Sequence, residues 1–112
     1  MIDWTRLTAL RHDIGEADFS TLAHLFVAEM GERLAELSAE PQRAKAEDFH
    51  FLRGSAANLG FVSMVTACHD AEAACRAGDT PDIAAVIGAF DGAMAAFSPV
   101  FPELARALRP AA

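Results

Sequence analysis

HFLRGSAANLG, from His50 to Gly60, places an imidazole, a guanidinium and a missing side chain on one helical stripe. At about 100° of rotation per residue, His50, Arg53, Gly54 and Ala57 share a face, while Leu52 and Leu59 point almost the opposite way. The stretch reads as an amphipathic helix whose outer face carries a histidine, a cation one turn on and a gap beside it. A neutral imidazole is a good nucleophile near neutral pH. A phosphoryl group on it carries negative charge that a guanidinium offsets through charge-assisted hydrogen bonds. Glycine inside a helix costs about 0.8–1 kcal/mol relative to alanine, so Gly54 needs a reason, and close approach by another molecule's backbone is one. Taken alone, the pair is more often an ordinary surface histidine beside a helix-packing glycine.

Outward from this stretch the pattern is helical almost throughout. Phe19, Leu22, Phe26, Met30, Leu34 and Leu37 recur every three or four residues, the period of a helix with one apolar stripe. Asp18 is the expected N-cap of that helix and Pro41 the end of the connection after it. The histidine-bearing helix is expected from Gln42 to Asn58, with Asn58 or Gly60 as a left-handed cap. The next should run from Val62 to Ala77, with Met64, Cys68, Ala71 and Cys75 on one side, and stop at Gly78. Thr80 and Pro81 signal another start, and Ile83, Val86, Ile87, Phe90, Met94 and Phe97 form its buried stripe. Pro99 and Pro102 break it, leaving Glu103 to Leu108 as a short terminal helix. At the other end Trp4, Leu7 and Leu10 give a short, core-like helix from Trp4 to Arg11.

No alternating runs with turn dipeptides mark strands, so the expected class is all-α. Short connections near Pro41, Gly60 and Gly78 imply antiparallel neighbours. The expected architecture is an antiparallel up-down four-helix bundle, with a short N-terminal lid helix across one end and a short C-terminal helix. A chain of 112 residues makes one domain, 1–112, large enough to bury roughly two thirds of its unfolded surface.

Composition excludes several functions. The formal charge of −7 argues against nucleic acid or an anionic membrane as partner, since both need a basic footprint. It favours a soluble monomer. Met1 to Arg6 has an early acid and no apolar h-region, so neither signal peptide nor membrane span is expected, and the cytoplasm is the default compartment. Cys68 and Cys75 stand seven residues apart on one helix, about 10 Å along its axis, too far for a disulfide. They read as small buried hydrophobes. His12, His24 and His69 show no metal-ligand spacing, a di-iron bundle needs Glu-x-x-His pairs on two helices that the chain lacks, and no metal is expected. No glycine-rich phosphate loop is present, so the chain is not an ATP-dependent kinase.

The run from His50 to Gly60, followed by Cys68 and Glu72, resembles the signature of histidine-containing phosphotransfer (HPt) domains. That pattern is a histidine, lysine and glycine three and four places on, small residues, a second glycine, then a cysteine and an acidic or amide residue on the next helix. The resemblance is specific from His50 to Arg76. It implies a four-helix bundle whose exposed histidine shuttles phosphoryl groups between receiver-domain aspartates. Carried over, His50 is the phosphoacceptor, Arg53 stands where the family usually has lysine, and Gly54 is the clearance position. The partners so implied are response-regulator receiver domains and a hybrid or cognate histidine kinase. No cofactor is expected on this chain, and magnesium belongs to the receiver.

Arg53 keeps the positive charge but replaces a point charge with a planar fork. Glu72, where relatives can carry glutamine, either accepts a hydrogen bond from one ring nitrogen of His50 or forms half of a solvated i, i+4 pair with Arg76. Receiver active sites in that family are acidic, so local charge at Arg53 and Arg76 must outweigh the global sign. Phe49, Phe51, Ala57 and Phe61 are assigned to the partner-docking surface. Phe49 and Phe51 lie about 100° to either side of His50, one expected to pack inward and the other to form a rim. Two further functions fit the same residues: the phosphoacceptor segment of a chemotaxis-type histidine kinase, and a helical interaction module that is never phosphorylated. An end soon after Pro110 favours a stand-alone carrier.

Overall fold

The computed structural model describes residues 1–99. Along them run α1 (Trp4–Ile14), α2 (Glu16–Ala39), a 3-10 turn (Pro41–Arg43), α3 (Ala46–Asn58), α4 (Val62–Arg76) and α5 (Ile83–Phe97). Among the described residues the sole extended pairing is an isolated antiparallel bridge between Ile2 and Phe61, so the all-helical expectation holds. The helix expected over Glu103 to Leu108 lies outside the described residues.

The most extensive packing joins α3 to α4; α4 also packs on α5, and α2 touches α1, α3 and α5. All five helices contribute to the core: Leu7 comes from α1, Phe19, Val27 and Met30 from α2, Phe49 and Leu52 from α3, Met64 and Cys68 from α4, and Val86 and Phe97 from α5. Burying each of the larger of these side chains contributes roughly 1.5–3 kcal/mol.

Several boundaries differ from the expectations. Gly15, with φ +84°, is the single residue between α1 and α2, so α2 starts at Glu16 and Asp18 falls in its first turn rather than at the cap. There Glu16 and Asp18 complement the positive helix end. The row through Ala23 and Val27 faces the core, which leaves Leu22 and Phe26 half-buried on its flank. α3 begins at Ala46, after the 3-10 turn, where the Asp48 carboxylate accepts from the Lys45 backbone N–H at 2.9 Å and from Arg33 at 2.9 Å. The first contact ties off an orphan donor; the second fastens α2 to the start of α3. At α5 the cap is Asp82, whose carboxylate accepts from the Ala85 N–H at 2.9 Å, so the helix starts later than Thr80 and Pro81 suggested. Trp4 is exposed rather than part of the core, whereas Ile2, two residues before it, is buried.

α3 and α4 end in the same way. Phe61 N–H donates to the Ala56 carbonyl and Gly60 N–H to that of Ala57; Asp79 and Gly78 repeat the pattern on Ala74 and Cys75. This double closure needs a left-handed residue, supplied by Gly60 at φ +70° and Gly78 at φ +78°. Asn58, the other candidate cap, stays within α3.

The N-terminal segment crosses this turn, with Asp3 N–H donating to Gly60 O at 2.7 Å and Val62 N–H to Met1 O at 3.1 Å. A Cβ at Gly60 would lie 2.7 Å from the Asp3 carbonyl oxygen. Gly60→Ala therefore combines backbone strain with a main-chain clash and is expected to cost about 1–3 kcal/mol in urea unfolding. An unchanged midpoint would mean that the crossing is not held against the turn.

Candidate functional site

The pattern of α3 sorts its side chains by face. Phe49, Leu52, Ala56 and Leu59, spaced by three, four and three, are buried, while His50, Gly54 and Ala57 are exposed and Arg53 is half-buried. The His50 side chain is 66% exposed. A Cβ added at Gly54 would meet nothing within 4 Å, so no packing inside the described residues calls for glycine there.

α4 supplies the other wall. Glu72 faces α3 and keeps only 8% of its side chain exposed. Arg76 Nη2 donates to its Oε2 at 2.7 Å, Arg53 Nη2 stands 3.3 Å from Oε1, and His50 Nδ1 lies 3.4 Å from Oε2. Glu72 therefore pairs with Arg76 and stands close to the ring at once, and its pair with Arg76 is not solvated at the carboxylate end. The hydrogen bond from Arg76 is the main reason its carboxyl is held below the usual carboxylate range. Burial opposes that shift, and the charges of Arg53, Arg76 and His50 add to it. Glu72 is an anion at neutral pH.

Arg53 Nη2 also reaches Nδ1 of His50 at 3.0 Å. Both neighbours of the imidazole therefore meet the same nitrogen, and among the described residues no hydrogen bond or ion pair reaches Nε2. Beneath them Cys68 is buried, and burial pushes its thiol up to about 12, with Arg53 partly offsetting the effect. Such a thiol is inert. Both cysteines are free.

The aromatic residues part company. Phe49 is fully buried and Phe51 half-buried under the Arg33 guanidinium, 4.5 Å from its ring centroid. Phe61 is also fully buried, edge-on to Phe97 at 5.6 Å between centroids. Phe49 and Phe61 are thus core residues and not a docking rim: the first belongs to the apolar row of α3, and the second is drawn inward by its bridge to Ile2.

His69, set aside on sequence grounds, belongs to the site: its Nδ1 is 3.2 Å from Arg53 Nη1. The signal was its spacing, three residues before Glu72 and seven before Arg76, which puts all three on one side of α4. Among the described residues no group of three His, Cys, Asp or Glu side chains is arranged to hold a metal ion, and no helix is long and apolar enough to cross a membrane.

An outward histidine, a guanidinium one turn on, an uncovered glycine and an acid on the next helix thus stand together at the α3–α4 seam. The Hpt domain family matches residues 21–99, most of the chain. The chain belongs to the Hpt domain family. Such domains serve histidine phosphotransfer in two-component phosphorelays, as phosphocarriers without kinase activity of their own. A comparison with curated proteins and one with solved structures return no match for this Hpt domain.

Because the Glu72 carboxyl is lowered in the folded Hpt domain, its contribution to stability is present above its unfolded value of 4.5 and is lost as pH falls through the lower folded value. The stability difference between wild type and Glu72→Gln should therefore be largest near neutrality and shrink on acidification below that value, as read by urea unfolding at stepped pH. A difference constant from neutral to strongly acid pH would contradict the buried ion network.

Proposed function

We propose that this domain is the phosphocarrier of a multistep phosphorelay, taking a phosphoryl group onto Nε2 of His50 from a receiver-domain aspartate and passing it to a second receiver. The observation that carries this is the disposition of one ring: two-thirds exposed, gripped at Nδ1 by groups on α3 and α4, and unencumbered at Nε2.

The chemistry follows from those contacts. A docked receiver, with its own magnesium ion, presents an aspartyl phosphate in line with the imidazole. Arg53 turns from Nδ1 towards the incoming negative charge; the ring gives up its Nε2 proton to water and takes one from water at Nδ1, where Nδ1–H donates to the Glu72 carboxylate, leaving a lone pair on Nε2. The Nε2–P bond forms as the P–O bond to the aspartyl carboxylate breaks, and the electron pair leaves with that carboxylate. Positive charge gained by the ring is held as Nδ1–H against the ionised Glu72. Transfer to the next receiver reverses these steps.

Gly54 provides clearance beside the ring, and Ala57 extends the low surface along α3. Exposed Arg76 adds to the local positive charge. The pairwise packing of α2 to α5 supports an antiparallel up-down four-helix bundle, with α1 as its lid and residues 1–112 as one domain. The charge of −7 supports a cytoplasmic monomer whose partners are receivers and a hybrid or cognate kinase rather than nucleic acid or membrane.

Incubation with a receiver phosphorylated on aspartate is expected to label the wild-type protein, while His50→Gln, with unchanged helical content, takes up no label. Undiminished labelling of the variant would overturn the assignment. Gly54→Gln is expected to be as stable as wild type or more so by up to about 1 kcal/mol, yet to accept phosphate more slowly. A wild-type rate in that variant would remove the clearance role.

A further inference from the structure

Residues 1–14 are fastened to the rest of the domain by contacts that any copy of the chain could supply. Ile2 and Leu7 are buried in the core, Asp3 N–H donates to Gly60 O at 2.7 Å, and Arg6 Nη2 donates to Asn58 Oδ1 at 3.5 Å. None of these contacts depends on the route by which the chain passes from α1 to α2. That route is a single residue, Gly15.

Gly15 sits at φ +84° and ψ 160°, a conformation open in practice to glycine alone. Its hydrogen bonds are nevertheless those of a helix on both sides: its N–H donates to Arg11 O at 3.0 Å, and its carbonyl accepts from Phe19 N–H at 2.9 Å. A Cβ there would meet nothing within 4 Å, so backbone conformation and not packing calls for the glycine. α2 also opens without a side-chain cap. Turning this one residue to helical φ and ψ would join α1 and α2 into one helix from Trp4 to Ala39. The N–H groups of Glu16, Ala17 and Asp18 would then donate to the carbonyls of His12, Asp13 and Ile14, as in any unbroken helix. Straightening carries residues 1–14 off their own seat and leaves that seat open.

We propose that α1 is exchangeable between two copies of this chain: in a symmetric dimer with Gly15 helical, residues 1–14 of each copy occupy the seat of the other, and the left-handed Gly15 is what keeps the chain a closed monomer. The second copy offers the same contacts as the first, so the hinge and the cost of association decide between the two forms. α3 and α4 come from one chain in either form, so the exchange is independent of the phosphocarrier function proposed above.

The test is Gly15→Ala in the full chain. A dimer contains two hinges, and alanine at each is strained in the closed form and better than glycine in the straight one. The dimer dissociation constant is expected to fall by about a thousandfold or more, read by light scattering, with helical content retained. Exchange itself is read by adding Arg6→Cys and Asn58→Cys, with Cys75→Ser to remove a half-exposed thiol, and bridging the new thiols with a short bis-maleimide. On a denaturing gel the Gly15 chain should run as a monomer and the Gly15→Ala chain as a covalent dimer. A folded Gly15→Ala chain that stays monomeric at the same concentration, or dimers bridged only within each chain, would overturn the proposal. If Gly15→Ala does not fold, the double-cysteine chain refolded from urea at high concentration decides. Dimers bridged between chains support exchange, and their absence overturns it.

Discussion

A carboxylate removed from water must be met by charge and hydrogen bonds, and the site is organised around how Glu72 meets that demand. Arg76, on its own helix, supplies the shortest contact; Arg53 comes from α3. Because one partner lies across the helix pair, the ion network fixes the register of α3 against α4, and with it the position of His50. The ring is left mostly exposed yet oriented, since both groups that touch it do so at Nδ1. Loss of the carboxylate would leave two arginines and an imidazole without the charge that holds them together.

The same network resolves the conflict between a chain of net charge −7 and an acidic partner. The carboxylate beside the ring is not free: Glu72 is buried between two guanidinium groups, and Arg76 and His50 stand out towards solvent. With screening over about 8 Å at physiological salt, an approaching phosphoryl group responds to these neighbours more than to carboxylates elsewhere on the surface.

The stripe His50, Arg53, Gly54 and Ala57 was legible in the sequence because all four sit on one helix, where spacing alone determines the face. Legibility failed where a second element decides. Phe49 and Phe51 flank the histidine symmetrically on a helical wheel; the choice between them lay in the row Phe49, Leu52, Ala56 and Leu59, which continues through the helix as Phe51 does not. Phe61 follows a turn, and its burial depends on Ile2, nearly sixty residues away. His69 looked isolated because its partner, Arg53, is on another helix. Boundaries slipped where two residues competed for the cap: Asp82 rather than Thr80 meets a free N–H group of α5, and Gly15 sets the start of α2 before Asp18 can. Gly60, by contrast, was readable from the sequence, as the left-handed stop of α3.

All of this converges on a single atom, Nε2 of His50. Phosphorus–nitrogen coupling in the protein labelled with nitrogen-15 histidine and phosphorylated by a receiver locates the phosphoryl group directly. The account predicts one phosphohistidine, with phosphorus bonded to Nε2 of His50 and a proton on Nδ1. Phosphorus on Nδ1, on His69 or on a carboxylate would contradict it.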